Sequence, residues 1–274
     1  MNSRRHLTLA LIAIALVTVA VPVMANHQWG KYHWERSANP VNLTIGDNTS
    51  GWTTYLNTAI SDWNQSSVLS LTKVSGQAGA GCTPDDGKIE VCNSNEGANG
   101  WLGIAGIWAF KNHITKAYSI MNDWYFDSGG YGSSAWRQLV MCQEVGHDFG
   151  LDHQDENFNN PPLGTCMDYT SDPTPNQHPN QHDYDQLEDI YAHLDGGGGG
   201  CKGKNCRASL PAAPPAQLEG VAGPGRWGQL VHRSNDGRVE VYELQYANGY
   251  KVVTHVLWVE GYQDLSDEEA LLYD

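Results

Sequence analysis

The run from Cys142 to Tyr169, C-Q-E-V-G-H-D-F-G-L-D-H-Q-D-E-N-F-N-N-P-P-L-G-T-C-M-D-Y, decides how the rest of the chain is read. Gln143 and His147 are four residues apart, so on an α-helix they share one face a turn apart, with Glu144 near the same surface. Trp136, Leu139 and Val140 precede them at helical spacing and predict one helix over 134–149. Gly150 permits a left-handed exit from that helix, which lets the chain turn and return His153 toward the same point. Two imidazoles, an amide and a carboxylate can meet there, a set suited to a metal and a base. The alternative is a buried helix with two incidental histidines.

The run resembles the zinc signature of the metzincin metallopeptidases, H-E-x-x-H-x-x-G-x-x-H followed by a Met-turn. Here it reads Q-E-V-G-H-D-F-G-L-D-H, with Gln143 where the family has its first histidine, and Cys166-Met167-Asp168-Tyr169 is similar to the Met-turn. Matrixin-like secreted bacterial members are the nearest in pattern. The resemblance implies an α+β fold: a mixed twisted sheet with an antiparallel edge strand, an active-site helix, a Met-turn and a closing helix. It implies Zn2+ held by His147, His153 and Gln143, with Glu144 as general base and Tyr169 steadying an oxyanion. Gly150 and Met167 would shape the site. The implied activity is that of a metalloendopeptidase, which hydrolyses peptide bonds with metal-activated water.

Gln143 offers a neutral amide oxygen, a poorer zinc ligand than imidazole. Three readings follow. Gln143 ligates the metal, a water or Asp152 replaces it, or the site is empty and the chain is a catalytically inactive binding protein on a peptidase scaffold.

Residues 1–25 carry Arg4 and Arg5, an apolar run from Leu7 to Val23 and a small residue before Asn26, the pattern of a secretory signal peptide. Loss of its two arginines, with no acid, takes the formal net charge from −15 to −17. Such acidity argues against nucleic-acid binding, which depends on neutralising phosphates. The expected product is a secreted, soluble monomer that acts on a protein or peptide and has no membrane anchor after cleavage. Six cysteines in an exported chain imply disulfides, and the local pairs Cys82–Cys92, Cys142–Cys166 and Cys201–Cys206 are the simplest connectivity.

The organisation expected is a signal peptide over 1–25, a metallopeptidase domain over 26–195, a Gly/Pro-rich linker over 196–219 and a small β-rich segment over 220–274. Val41, Leu43 and Ile45 alternate as a strand, and Leu56, Ile60 and Trp63 predict a helix over 51–64 that Ser50 could cap. Strands follow at Leu69–Leu71 and Ile89–Val91, with an irregular loop over 75–88. Residues 101–110 and 114–121 read as a hairpin, and the resemblance makes the first of these the exposed edge on which a peptide docks. Asp123, Asp127 and Ser128-Gly129-Gly130 could bind Ca2+, although turn chemistry explains them equally well. His113 reads as a turn residue, and His178 and His182 as solvated. Leu187, Ile190, Tyr191 and Leu194 mark the closing helix. Beyond the linker, 230–232, 239–244 and 250–259 alternate as strands, with turns at Asn235-Asp236-Gly237 and Asn248-Gly249. That segment would form an appendage, either packed on the main domain or standing as a separate module.

Overall fold

A computed structural model describes residues 26–195 and 226–262. The signal peptide, the whole linker with Cys201 and Cys206, and residues 220–225 and 263–274 lie outside the described residues. The fold is α+β, built on a mixed nine-stranded sheet. In chain order the elements are β1 (His33–Trp34), β2 (Val41–Asn48), α1 (Thr53–Trp63), β3 (Leu69–Ser75), β4 (Lys88–Ser94), β5 (Trp101–Phe110) and β6 (His113–Asn122). They continue with α2 (Asp123–Asp127), α3 (Ser134–His147), α4 (Gln181–Ile190), β7 (Gln229–Arg233), β8 (Val239–Gln245) and β9 (Tyr250–Trp258).

The sheet order is β3-β2-β4-β6-β5-β9-β8-β7, with β1 joined in parallel to β6. Strands β3, β2, β4 and β6 are parallel, and β5, β9, β8 and β7 follow antiparallel. Helices α1 and α3 pack on one face, where Leu56, Trp63, Leu139, Val140 and Val145 meet Leu102 and Ile107 of β5. The other face has its own core of Trp101, Ile104, Trp108, Trp227, Val256 and Trp258.

The expected exposed edge at 101–110 is corrected here: β5 is bonded to β6 on one side and to β9 on the other. The cause is legible in β9, whose residues bury Val252, Val256 and Trp258 in one core and Val253 and Leu257 in the other. A strand apolar on both faces cannot remain in a solvated appendage, and the free N–H and C=O groups of β5 are a ready template for it. The C-terminal strands therefore complete the same sheet as the first 195 residues.

Local signals explain the helix ends. Ser133 caps α3 by accepting the Trp136 N–H at 3.2 Å, and Asn180 and Asp183 form a reciprocal capping box at the start of α4. Ser50 does not cap α1, whose N-cap is Trp52; it is held instead by the Asn93 side chain, which accepts its N–H at 2.7 Å. Helix α4 stops at Ile190, so Leu194 lies beyond the buried stripe and is exposed. Asp123 accepts from the Trp52 indole at 2.7 Å and Asp127 from Arg137 at 2.7 Å, so both carboxylates of the calcium alternative already serve packing. His178 is exposed and pairs with Asp62, whereas His182, expected in solvent, is buried and stacked on His27.

Gly150 turns the chain out of α3 at φ 93°, and a Cβ there would lie 2.2 Å from the Tyr32 carbonyl oxygen. Gly150→Ala combines left-handed strain with a backbone clash. It is expected to cost more than ~2 kcal/mol in denaturant unfolding.

Candidate metal centre

Helix α3 is buried on every side from Gln138 to its last residue, His147. The turn at Gly150 is pinned by the Trp29 N–H to Gly150 carbonyl bond at 2.8 Å and brings His153 back beneath the helix end. A third imidazole arrives from β9. Along that strand Val253, His255 and Leu257 point to the helix side, by the two-residue period of a strand, and His255 lies opposite Ala105 of β5. The ring centroids of His147 and His153 are 4.7 Å apart, those of His147 and His255 4.1 Å, and those of His153 and His255 4.9 Å. One coordinating nitrogen from each lies within 4.8 Å of the others.

These nitrogens are buried with no hydrogen-bond partner: Nε2 of His147, Nε2 of His255 and both ring nitrogens of His153. Each buried polar atom left in that state costs roughly 1–3 kcal/mol, and a cation would satisfy three of the four, one from each ring. The tautomers agree. His147 Nδ1 is 2.9 Å from the Leu151 carbonyl, which only accepts, so Nδ1 carries the proton and Nε2 is left as a donor pair. His255 Nδ1 is 3.2 Å from Glu144 Oε2, the outer-shell carboxylate that metal-binding imidazoles commonly use. The three imidazoles therefore fit a metal ion.

Gln143 is placed differently from the two histidines of its motif. Its Nε2 donates to the Cys166 carbonyl at 2.9 Å, which ties the helix to the Met-turn and leaves Oε1 buried without a partner. Asp152 Oδ1 accepts the His153 N–H at 2.8 Å. A third imidazole, that of His255, joins His147 and His153, which the motif spacing could not reveal. A weak signal existed: His255 falls between Val253 and Leu257, both apolar, on the same side of the strand.

Glu144 is 0% exposed, with Oε2 on His255 and Oε1 unpartnered. Gly103 of β5 makes room for it, since a Cβ there would stand 2.7 Å from Oε1. Burial raises the Glu144 carboxyl to about 8, and burial lowers His147 to about 4 and His255 to about 3, with His153 also well below its usual value. The metal-free cluster is thus a set of neutral imidazoles beside a neutral acid. In chelator, the histidines take up protons near 6.5 when unfolded but only far lower when folded, so their contribution to stability is present above pH 6.5 and lost on acidification. Glu144 acts in the opposite sense: its folded value is raised, so its contribution is lost as pH rises from about 4.5 through 8. Urea melts of the chelated protein are expected to show greatest stability near pH 6.5.

Met167 is fully buried, and its Sδ sits where a Cβ on Gly146 would come within 2.7 Å. Tyr169 lies over His153 at 4.0 Å between ring centroids and stacks on Phe158 at 4.8 Å. The C-terminal segment closes over this loop: Arg238 stands 3.8 Å above the Phe158 ring and His232 pairs with Glu156 at 3.0 Å. The recess lined by Gln143, Phe158, Tyr169, Arg238 and Leu257 has a volume of about 10 Å³, room for one water at most.

Two disulfides agree with the simplest pairing, Cys82–Cys92 and Cys142–Cys166. The second joins α3 to the Met-turn. Cys142→Ala with Cys166→Ala is expected to cost ~3 kcal/mol of unfolding free energy, read from denaturant midpoints. No described helix is long and apolar enough to cross a membrane. No protein-family model matches the chain, and no curated protein matches it.

Proposed function

We propose that the chain is a secreted, zinc-dependent metallopeptidase of metzincin type, held closed by its own C-terminal segment. The observation that carries this reading is the set of three buried imidazoles, His147, His153 and His255, with unpartnered nitrogens gathered beside Glu144. Two of them and the acid come from the run whose spacing resembles the family signature, with Met167 packed against the same helix at Gly146. Bound there, zinc would supply Lewis acidity toward a peptide carbonyl and a lowered pKa for water.

The protein's own groups divide the remaining work. The Leu151 carbonyl orients His147 through Nδ1, and the disulfide keeps the helix in place over the Met-turn. Glu144 would take a proton at Oε2, and the Tyr169 hydroxyl would donate to a developing oxyanion. In the closed form Glu144 does other work, because Oε2 accepts from His255. The register in which β9 lies on β5, Ala105 opposite His255, is one that an extended substrate would need, since edge pairing binds peptide backbone. Opening therefore requires β9 to be displaced, which leaves zinc on His147 and His153 with the Gln143 oxygen as the remaining protein donor.

A second reading is a permanently closed, non-catalytic metal protein. It is favoured by the complete burial of Glu144 and by the lack of space beside Tyr169. Zinc analysis of the intact chain, with casein cleavage in the presence and absence of chelator before and after removal of the C-terminal segment, separates the two. Cleavage that needs zinc and Glu144 supports the peptidase. A folded, zinc-loaded and trimmed protein without activity supports the second reading.

A further inference from the structure

A second group of metal-binding side chains lies away from this centre, where β1, the β5–β6 turn and the chain just past α4 meet. His33 begins β1, His113 begins β6 directly opposite it, and His193 and Asp195 follow the closing helix. The Nε2 atoms of His33, His113 and His193 approach a single oxygen, Asp195 Oδ1, at 3.4, 3.3 and 3.2 Å. The donor atoms of His33, His193 and Asp195 all lie within 4.8 Å of one another. His33 and Asp195 are buried, while His113 and His193 leave one side open to solvent.

Proton bookkeeping makes this arrangement costly without a cation. His33 Nδ1 is 3.0 Å from the Lys31 carbonyl, which only accepts, so Nδ1 carries a proton. In the neutral ring Nε2 then presents a lone pair to a carboxylate oxygen. The remaining way to satisfy that contact is a buried imidazolium, with two more histidines competing for the same oxygen. Asp195 Oδ2 is already engaged by the Arg36 N–H at 2.8 Å, so Oδ1 alone faces the cluster. His113 and His193 can each donate Nε2–H to Oδ1 as neutral rings, so the contact that a metal relieves is that of His33 Nε2. Bonds of about 2.0–2.1 Å from a zinc ion place neighbouring donor atoms about 3.3–3.4 Å apart, and Asp195 Oδ1 stands 3.4 Å from His33 Nε2 and 3.2 Å from His193 Nε2. The outer partners match as well, an imidazole N–H on a backbone carbonyl and a carboxylate whose second oxygen is held.

We propose that His33, His193 and Asp195 form a second metal site for a divalent ion of zinc's kind, with His113 held beside it on Asp195 Oδ1. Two nitrogens and one carboxylate oxygen leave a fourth position for water on the side where His193 is exposed. Its effect is to staple β1 to the chain just past α4. It does not depend on the centre at His147, His153 and His255 or on any activity.

The test is the zinc content of the intact chain after dialysis against a weak chelator, compared with that of a His193→Ala, Asp195→Asn variant. His193 is exposed, and asparagine can still accept from Arg36, so the variant should fold. The variant is expected to hold one zinc fewer than the natural chain. Its affinity at this site should fall by more than the roughly 10–100-fold that loss of an outer partner costs. Cobalt loading should give the visible bands of a four-coordinate ion, partly lost in the variant. A drop from two zinc to one, or from one to none, supports the proposal, and the second result places the failure at the other centre. Equal zinc content in the two proteins, or histidine-bound zinc stripped by the weak chelator from both, overturns it.

Discussion

His255→Ala is expected to lower the zinc affinity of the His147–His153 centre by at least ~100-fold, whereas Gln143→Ala is expected to change it by less than ~10-fold. The difference follows from donor chemistry. Removing His255 takes away one of three imidazoles whose unpartnered nitrogens gather at one point, and an imidazole is a far better zinc donor than a neutral amide oxygen. It also leaves Glu144 buried with neither oxygen partnered, a further cost of roughly 1–3 kcal/mol to the fold. Gln143 offers only a neutral amide oxygen, Oε1, while its Nε2 is held by the Cys166 carbonyl. Competition with a chromophoric chelator measures both affinities, and circular dichroism of each variant separates lost ligation from lost folding. Equal effects of the two substitutions would return the third position to Gln143.

The second large effect is on activity. A chain with a specific protease site built into 211–216 is expected to cleave casein at background rates while intact. After cutting and separation of residues 217–274, cleavage should rise by at least ~10³-fold, within the range spanned by positioning and general-base terms together. The gain arises because departure of β9 frees the backbone edge of β5, frees Oε2 of Glu144 from His255 and removes Arg238 from Phe158. Chelator should abolish it, and Glu144→Ala should reduce it by about 10²–10⁴-fold. Excess zinc belongs in the assay, because the trimmed centre keeps only His147 and His153 among its imidazoles. Cleavage by the intact chain at the trimmed rate would remove the closure from the account while leaving the peptidase.

Much of this arrangement was legible in the sequence because its causes are local. Helix α3 follows from apolar spacing and the Ser133 cap, the return of His153 from a glycine that alone tolerates the turn, and the strands from two-residue alternation between turn residues. The disulfide between α3 and the Met-turn followed from compartment and spacing. What escaped was long-range. Edge pairing is made by backbone groups, so no side-chain pattern announces that β9 will lie on β5. The run W-L-G-I-A-G-I-W-A-F did carry a hint: a strand apolar on both faces is one that lies inside a sheet, and 101–110 is buried almost throughout. His255 was missed for the same reason, since a ligand that completes a site from a distant strand obeys no motif spacing. The histidines around Asp195 are separated along the chain in the same way, and only the fold gathers them.

The central claim is that His147, His153 and His255 hold one metal together. A crystal structure of the zinc-loaded intact chain, with anomalous diffraction at the zinc edge, measures this directly. The account predicts an anomalous peak within bonding distance, about 2.0–2.1 Å, of one nitrogen from each of the three rings, with Glu144 on the far nitrogen of His255. A zinc ion bound there without His255, or no peak between His147 and His153, would contradict it.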